Sequence, residues 1–547
     1  MPLDSEDIVN GAPTTEQDSK FMPLVETLAS AEEPPSSVQL LGMARWLYTQ
    51  HAYECAEAVC SLASEESKST VDFLKLRRSI ATKQGSLGLS IQLSNELAEK
   101  KSASPQSLRL LGGRYKELTG WVPRLPGPVE PLIPRDDKTV VHLVKESAPY
   151  LSNGFCSRSQ YNFLAEQSAG FNVKVLTEPG FPNADQRDGP FPSENVYQGV
   201  GHYHFDLGSV DTSALPSDIM LELWAELAYR KIKIIRPSII HASSGRRGYE
   251  TALVAMALSE KTGIPFVYEV RSFFEANWTA DIDRELSGEI YSKRRAVELL
   301  CMSRAAHVLT IGESMRREII SRGVPPEKVS VIPNGVDSQF FTPTSRSRRL
   351  AEKHDLIGKR TFGYISNMDH YRESQETLIE CAKVLLDQGT PMECILVGDG
   401  PRRGLLENLA DELGVSDLVH FLGRVDHSEI PEYYSLIDYF VVPRIPERSA
   451  TYVTPLKPFE AMASGCCMVI SDLPALREIV DPPNRGLSFT PGNAVDLAMV
   501  LTKLHSNGEL RARLADAGTE WVQDERTWMS NGLRYKAAFE KAIQEEV

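Results

Sequence analysis

The feature that most constrains this chain is an alternation, sustained twice, of short apolar or β-branched runs with amphipathic helical stretches. Apolar runs of four to six residues are strands buried on both faces, and strands separated by helices pair in parallel. The first set begins at 139–144 and continues at 173–176, 238–241, 265–270, 307–311 and 329–332. A second set occupies 360–365, 394–397, 418–421, 439–442 and 467–470. The chain therefore reads as an α/β protein with two doubly wound domains, 136–334 and 335–526.

Upstream the pattern differs. Residues 1–36 mix acids, Pro, Ser and Thr without a period and read as a mobile leader. Residues 37–130 carry apolar positions at helical spacing, such as Leu40, Leu41, Ala44 and Leu47, and later Phe73, Leu74, Leu76 and Ile80. They form a helical, repeat-like extension suited to capping, protein contacts or dimerisation, and a Pro-rich connector at 121–134 ends it. A net charge of -15 excludes a general nucleic-acid binder. The acidic start lacks the charge and apolar core of a signal peptide, and no run is long enough to span a membrane, so the expected location is cytoplasmic. Eight scattered cysteines give no disulfide framework or metal spacing, and Cys55 and Cys60 are expected to be buried.

In doubly wound sheets ligands bind beyond the carboxyl ends of the strands. After the first strand, 147–158 brings Asn153, Gly154 and Arg158 to a loop and helix start suited to an anion or acceptor. His241, Ser243, Ser244, Gly245 and Arg246 follow another strand. Asn334-Gly335 after 329–332 is turn chemistry. His202 and His204 alternate like a strand, but no third ligand gives them a metal spacing. The richest segment is 441–465, where a strand, a loop and a helix start bring backbone amides, Lys457 and Glu460 together. Amides and a lysine suit a diphosphate, and a carboxylate can accept both hydroxyls of a ribose.

Ile332-Pro333-Asn334-Gly335-Val336-Asp337, Val397-Gly398-Asp399-Gly400-Pro401 and Val453-Thr454-Pro455-Leu456-Lys457-Pro458-Phe459-Glu460-Ala461-Met462-Ala463-Ser464-Gly465 together resemble glycosyltransferase family 4 over roughly residues 138–545. The last segment looks like a bacterial variant of the family's glutamate-x7-glutamate region. The resemblance implies a GT-B fold: a Rossmann-like acceptor domain, a Rossmann-like domain binding a nucleoside diphosphate sugar, and a final helix (527–547) returning to the first. It implies that Glu460 holds the donor ribose, and that Thr454, Pro455, Leu456, Gly398, Arg424, Val425 and Arg372 belong to the donor site. It further implies a retaining reaction with no metal and no cofactor beyond the sugar nucleotide. The acceptor would be a sugar, a lipid-linked hydroxyl or another hydroxyl, in polysaccharide, glycolipid or glycoconjugate synthesis.

The departures are specific. Tyr452 stands where the first glutamate is expected, and Glu447 lies out of register. Arg372 is the only cation where an Arg-Lys pair is usual, and Arg271 stands in place of the family histidine. Charge neutralisation is then redistributed to Arg271, Arg444 and Lys457, assigned as catalytic. The alternative pairs Arg271 with Glu269 and Arg444 with Glu447. The Arg346-Ser347-Arg348-Arg349 cluster reads as a solvated helix start, with peripheral contact to the inner membrane face as its other use. Two further functions fit the same residues: a nucleotide-sugar epimerase, and a non-enzymatic helical-repeat protein carrying a degenerate transferase.

Overall fold

The computed structural model describes residues 15–33, 35–245, 248–279 and 284–544. The first sheet holds β1 (Thr139–Val144), β2 (Asn172–Thr177), β3 (Glu194–Tyr197), β4 (Val200–Tyr203), β5 (Ile239–Ser243), β6 (Phe266–Val270), β7 (His307–Thr310) and β8 (Val329–Val331). Their order is β3-β4-β2-β1-β5-β6-β7-β8, and all pairs are parallel except the β3–β4 hairpin. The second sheet holds β9 (Thr361–Ile365), β10 (Glu393–Val397), β11 (Val419–Gly423), β12 (Tyr439–Val442), β13 (Cys467–Ser471) and β14 (Leu487–Phe489). Its order, β11-β10-β9-β12-β13-β14, is wholly parallel. Central strands such as β1, β5, β6, β9 and β12 are buried along their whole length, as strands covered by helices on both faces must be.

Chain order reverses between β1 and β5 in the first sheet and between β9 and β12 in the second. Those reversals open the crevices in which doubly wound sheets bind ligands. Two features escaped the sequence reading: the pairing of β3 with β4, of which only the strand-like alternation at His202 and His204 was read, and β14. The β3–β4 hairpin turns on Gln198 and Gly199, both at positive φ (49° and 82°), so Gln takes the place of the more legible Asn in this turn. β14 has three residues, too few for a period.

The reading of residues 1–36 as a mobile leader is corrected for its described part, 15–33 and 35–36, while residues 1–14 and 34 lie outside the described residues. Thr15 caps a helix at Glu16–Ala29, and Asp18 within it is fully buried. Asp18 accepts from Cys55 N (3.1 Å) and from Arg284 Nη2 (2.7 Å), a partner far along the chain. Local composition carries no trace of such a contact. Ser36 then caps the next helix, Ser37–Thr49, through a reciprocal bond with Gln39.

Helices Tyr53–Ser61, Val71–Lys83, Leu87–Glu99 and Pro105–Leu118 complete the extension. Cys55 and Cys60 are buried in its core. The extension lies against the first domain, whose main core includes Leu87 and Leu118. Gly85 (φ +70°) sits under the Trp278 indole, and a Cβ there would lie 2.8 Å from the ring, so only glycine fits. The Pro-rich connector is a strap: Glu130 N, Leu132 N and Arg135 N donate to Lys261 O, Thr262 O and Arg236 O at 2.8–3.0 Å.

The last helix, Asn531–Gln544, lies on the first sheet. Its Tyr535, Ala538, Phe539 and Ala542 pack among Val140, Ile239, Val267, Leu309 and Ile332. Among the described residues no helix is long and apolar enough to cross a membrane.

Candidate active site between the two sheets

The two chain crossings between the domains run side by side. Val336 N donates to Arg526 O (2.8 Å), and a Cβ on Gly335 would lie 2.9 Å from that carbonyl. Gly335 is needed for this close approach. Asn334 Nδ2 donates to Thr454 O (2.8 Å) and Thr454 Oγ1 to Ile311 O (3.4 Å), so the Asn-Gly segment and the Val-Thr-Pro loop join the domains. Gly154 lies against Leu456, 3.5 Å from the position of its Cβ to Leu456 Cδ1. The predicted acceptor loop and donor loop therefore meet across the cleft.

On the second domain, the residues after β9 and β10 form one wall. Gly398 (φ +139°) brings its backbone so close to Ser366 O that a Cβ would lie 2.0 Å from it. The Lys457–Ala463 helix begins in the cleft, where Lys457 Nζ donates to Glu460 Oε2 (2.9 Å). Glu460 also accepts from Tyr434 OH (2.8 Å). Lys457 keeps 34% of its side chain exposed and Arg372, on a turn after β9, keeps 28%. Among the described residues the Arg372 side chain pairs with Glu373, at 3.5 Å. Arg424 is exposed just after β11, and Val425 leans on the core.

Arg444 is built differently. Its Nε and Nη2 form a two-pronged bond with Glu373 (3.1 and 2.9 Å), and Tyr364 OH donates to the same carboxylate at 2.6 Å. Despite burial, Arg444 and Tyr364 hold the Glu373 pKa below its ordinary value. The expected Arg444–Glu447 pairing is thus corrected to Arg444–Glu373. Glu447, the out-of-register candidate for the donor contact, is 4% exposed and caps the Arg448–Tyr452 helix by accepting from Ala450 N (3.1 Å). Tyr452 packs edge-on against Phe273 of the first domain.

On the first domain, Lys145, Phe155, Ser159, Ser243, Ser244 and Arg271 line a small crevice at the β1/β5 reversal. Arg271 is 5% exposed and donates to Ser159 Oγ (2.7 Å), Ser243 Oγ (2.9 Å) and Glu269 Oε2 (3.0 Å). The Arg271–Glu269 alternative is what the structure contains. Asn153 caps its helix by accepting from Cys156 N (2.9 Å).

Two sequence assignments are corrected. Arg158, read as part of the acceptor or phosphate loop, is buried and pins the hinge. Its Nη1 donates to Asn334 Oδ1 (2.8 Å) and its Nη2 to Ile332 O (2.7 Å), while Nε holds Glu269 (3.1 Å). His241, read as an acceptor contact, is fully buried beneath the sheet, 3.2 Å from Glu269. Burial, reinforced by neighbouring His142, pushes its pKa down to about 3. One turn of helix and one strand register place both side chains inward, which loop-based reasoning does not resolve.

His142, Glu166 and His241 bring potential ligand atoms within 4.8 Å of one another, but all three are buried in this core rather than in the cleft. His202 and His204 bond to Ser147, Thr177 and Asn195 within the sheet. Arg246 lies outside the described residues. In the Arg346–Arg349 cluster each arginine faces a carboxylate, and Ser347 caps the helix Arg348–Lys353. It is a solvated helix start.

Comparison with known proteins agrees with this architecture. The Glycosyltransferase Family 4 model matches residues 162–340 and the Glycosyl transferases group 1 model residues 348–521, one per domain. The MMP alpha-(1->4)-mannosyltransferase of Mycolicibacterium hassiacum is 25% identical over 398 residues, 68% of this chain and 91% of that protein. Other curated glycosyltransferases are spanned over about three fifths of their length.

Among solved structures, sucrose-phosphate synthase from Thermosynechococcus elongatus superposes with a TM-score of 0.60 at 20% identity. It covers 75% of this chain and all of that one. Anabaena Alr3699/HepE in complex with UDP-glucose gives 0.55 at 19%, covering 74% and 99%. With a family model matching each of its two sheet domains, the chain has the GT-B fold, is similar to the glycosyltransferases of family 4 and group 1, and is an enzyme of the transferase class.

Proposed function

We propose that the protein transfers a sugar from a nucleoside diphosphate sugar to a hydroxyl acceptor with retention of anomeric configuration. The observation that carries this reading is the Lys457–Glu460 pair at the start of a helix, with the preceding Leu456 against Gly154 of the other domain and Arg372 on the turn after β9. In this reading Glu460 accepts the two ribose hydroxyls, exchanging its bonds to Lys457 and Tyr434 for them. Lys457 and Arg372 neutralise the diphosphate, and no metal is required for that charge. Arg444 acts one step back by holding Glu373 beside Arg372.

Retention follows from attack on the same face as the departing diphosphate, whose oxygen takes the acceptor proton. No side chain is then needed as a base, which accords with an arginine at position 271, since a guanidinium does not deprotonate in proteins. The bound UDP-glucose in the Anabaena structure supports a sugar nucleotide as donor, and the mannosyltransferase relative supports sugar transfer. Eight buried, unpaired cysteines accord with a reducing, cytoplasmic setting.

The test is binding followed by turnover. Glu460→Gln should weaken the affinity for the preferred nucleoside diphosphate by about tenfold or more, the equivalent of one lost charged hydrogen bond. Proton NMR of the first product should show the donor's anomeric configuration, and chelators should leave the rate unchanged. Unaltered nucleotide affinity in Glu460→Gln would remove this site. Free or isomerised sugar formed without acceptor would instead establish an epimerase.

A further inference from the structure

Away from the donor crevice, a cavity of about 440 Å³ opens between the helical extension and the first domain. That is the size of a small-molecule site. The extension contributes Leu110 and Arg114 from its Pro105–Leu118 helix. The segment after β4 contributes Ser213, Leu215 and Ser217, and the segment after β6 contributes Phe274 and Asn277. Arg294, on the Gly288–Arg304 helix, closes it.

Two guanidiniums from elements distant in sequence thus face one cavity, with Glu117 and Glu250 as the acids that act on both. Glu117 is buried and accepts from Arg114 Nη1 (2.9 Å) and from Tyr249 OH (3.2 Å). Asp218, beside Ser217, is held by Lys116 at 2.7 Å. Arg294 donates Nη1 to Phe274 O (3.1 Å), and its buried Nε and the buried Ser217 Oγ have no hydrogen-bond partner among the described residues. Burial, and then the charge of Arg114, depress the Arg294 pKa against the opposing pull of Tyr249, Glu117 and Glu250. The cavity's apolar lining, Leu110, Leu215 and Phe274, suits the body of an organic molecule better than a bare ion.

We propose that this seam binds a small organic anion, a phosphate or carboxylate ester of sugar size, gripped by Arg114 and Arg294 together. Its oxyanion meets the two guanidiniums, with Ser217 and Asn277 as further donors, and its body rests on Phe274. Phe274 in turn packs near Phe155 of the first-domain crevice (ring centroids 6.2 Å), so the ligand would lie beside the acceptor side of the cleft. The site depends on the extension, since Arg114 belongs to it. Binding here does not require the transferase reading to hold.

The experiment is calorimetric titration of the full chain with glucose 6-phosphate and with inorganic phosphate. Four proteins are compared: wild type, Arg294→Gln, Ser213→Tyr and Glu460→Gln. Ser213 is exposed at the cavity rim, so a tyrosine there fills the space while leaving both arginines and the fold in place. Saturable binding that weakens at least tenfold in Arg294→Gln and Ser213→Tyr, but not in Glu460→Gln, is the expected result. Glucose 6-phosphate should bind more tightly than inorganic phosphate. Absence of binding to wild type, or binding by the two cavity variants as tight as that of wild type, would overturn the proposal. Loss confined to Glu460→Gln would place the anion in the donor crevice and overturn it as well.

Discussion

Two basic residues of the second domain show how burial sorts roles that sequence alone leaves equal. Arg444 and Lys457 both follow strand ends in the cleft, yet Arg444 is enclosed with Glu373 whereas Lys457 stays a third exposed beside Glu460. Arg444→Ala leaves a buried carboxylate without its cation, and such a broken pair costs about 3–5 kcal/mol. Chemical denaturation should show that loss. Lys457→Ala removes a partly exposed pair, so stability should change by about 0–1 kcal/mol while nucleotide affinity falls. An Arg444→Ala protein of ordinary stability would mean that Glu373 is hydrated in solution. The charged residue types and their strand-end positions were legible in the sequence; their partners were not. Glu373 lies 71 residues from Arg444, and only the sheet order, which sets β9 beside β12, brings them together.

At the scale of elements, strands were the most legible part, because a buried parallel strand must be continuously apolar. The runs at 139–144 and 439–442 match β1 and β12 end to end. Side-chain faces were less so: Arg158 on a helix and His241 on β5 point inward through register, which a loop-based reading cannot see. One helix contact carries a pH signature. Glu478, on the Pro474–Val480 helix of the second domain, accepts from Ser314 N at the start of the first domain's Glu313–Ser321 helix (3.0 Å). Burial raises its pKa to about 7. A carboxyl with a folded-state pKa above its unfolded value of 4.5 is fully tolerated below pH 4.5. Its ionisation costs stability as pH rises from there to about 7. Glu478→Gln, which keeps an acceptor for Ser314 N, should therefore melt higher than wild type at pH 8. The difference should vanish toward pH 4.5 in paired melting curves. A gap that does not change with pH would show that Glu478 titrates normally.

At the scale of the whole molecule, the question is how far the helical extension is separate from the enzyme it precedes. The sequence reading gave it a boundary at a Pro-rich connector, and the connector is real, but it lies hydrogen-bonded along the first domain rather than spanning a gap. The extension also grips the cleft-side segment after β6. Gly85 underlies Trp278, Gly88 N donates to Glu289 (2.6 Å), and Asp18 holds Arg284. Removing residues 1–118 would strip Leu87 and Leu118 from the first domain's core and release Trp278 and Arg284 together. The truncated protein should melt at a lower temperature, and protease should cut sooner between Phe273 and Gly288. The proposed donor residues stand apart from this: Glu460, Lys457 and Arg372 all belong to the second sheet domain, which keeps its own core. Nucleoside diphosphate should therefore bind the truncated protein within about threefold of the full chain, a difference of less than 1 kcal/mol. A folded truncation that binds no nucleotide would mean that the extension shapes the donor crevice through the first domain. Unchanged melting and proteolysis would mean that its contacts with Trp278 and Arg284 bear no load.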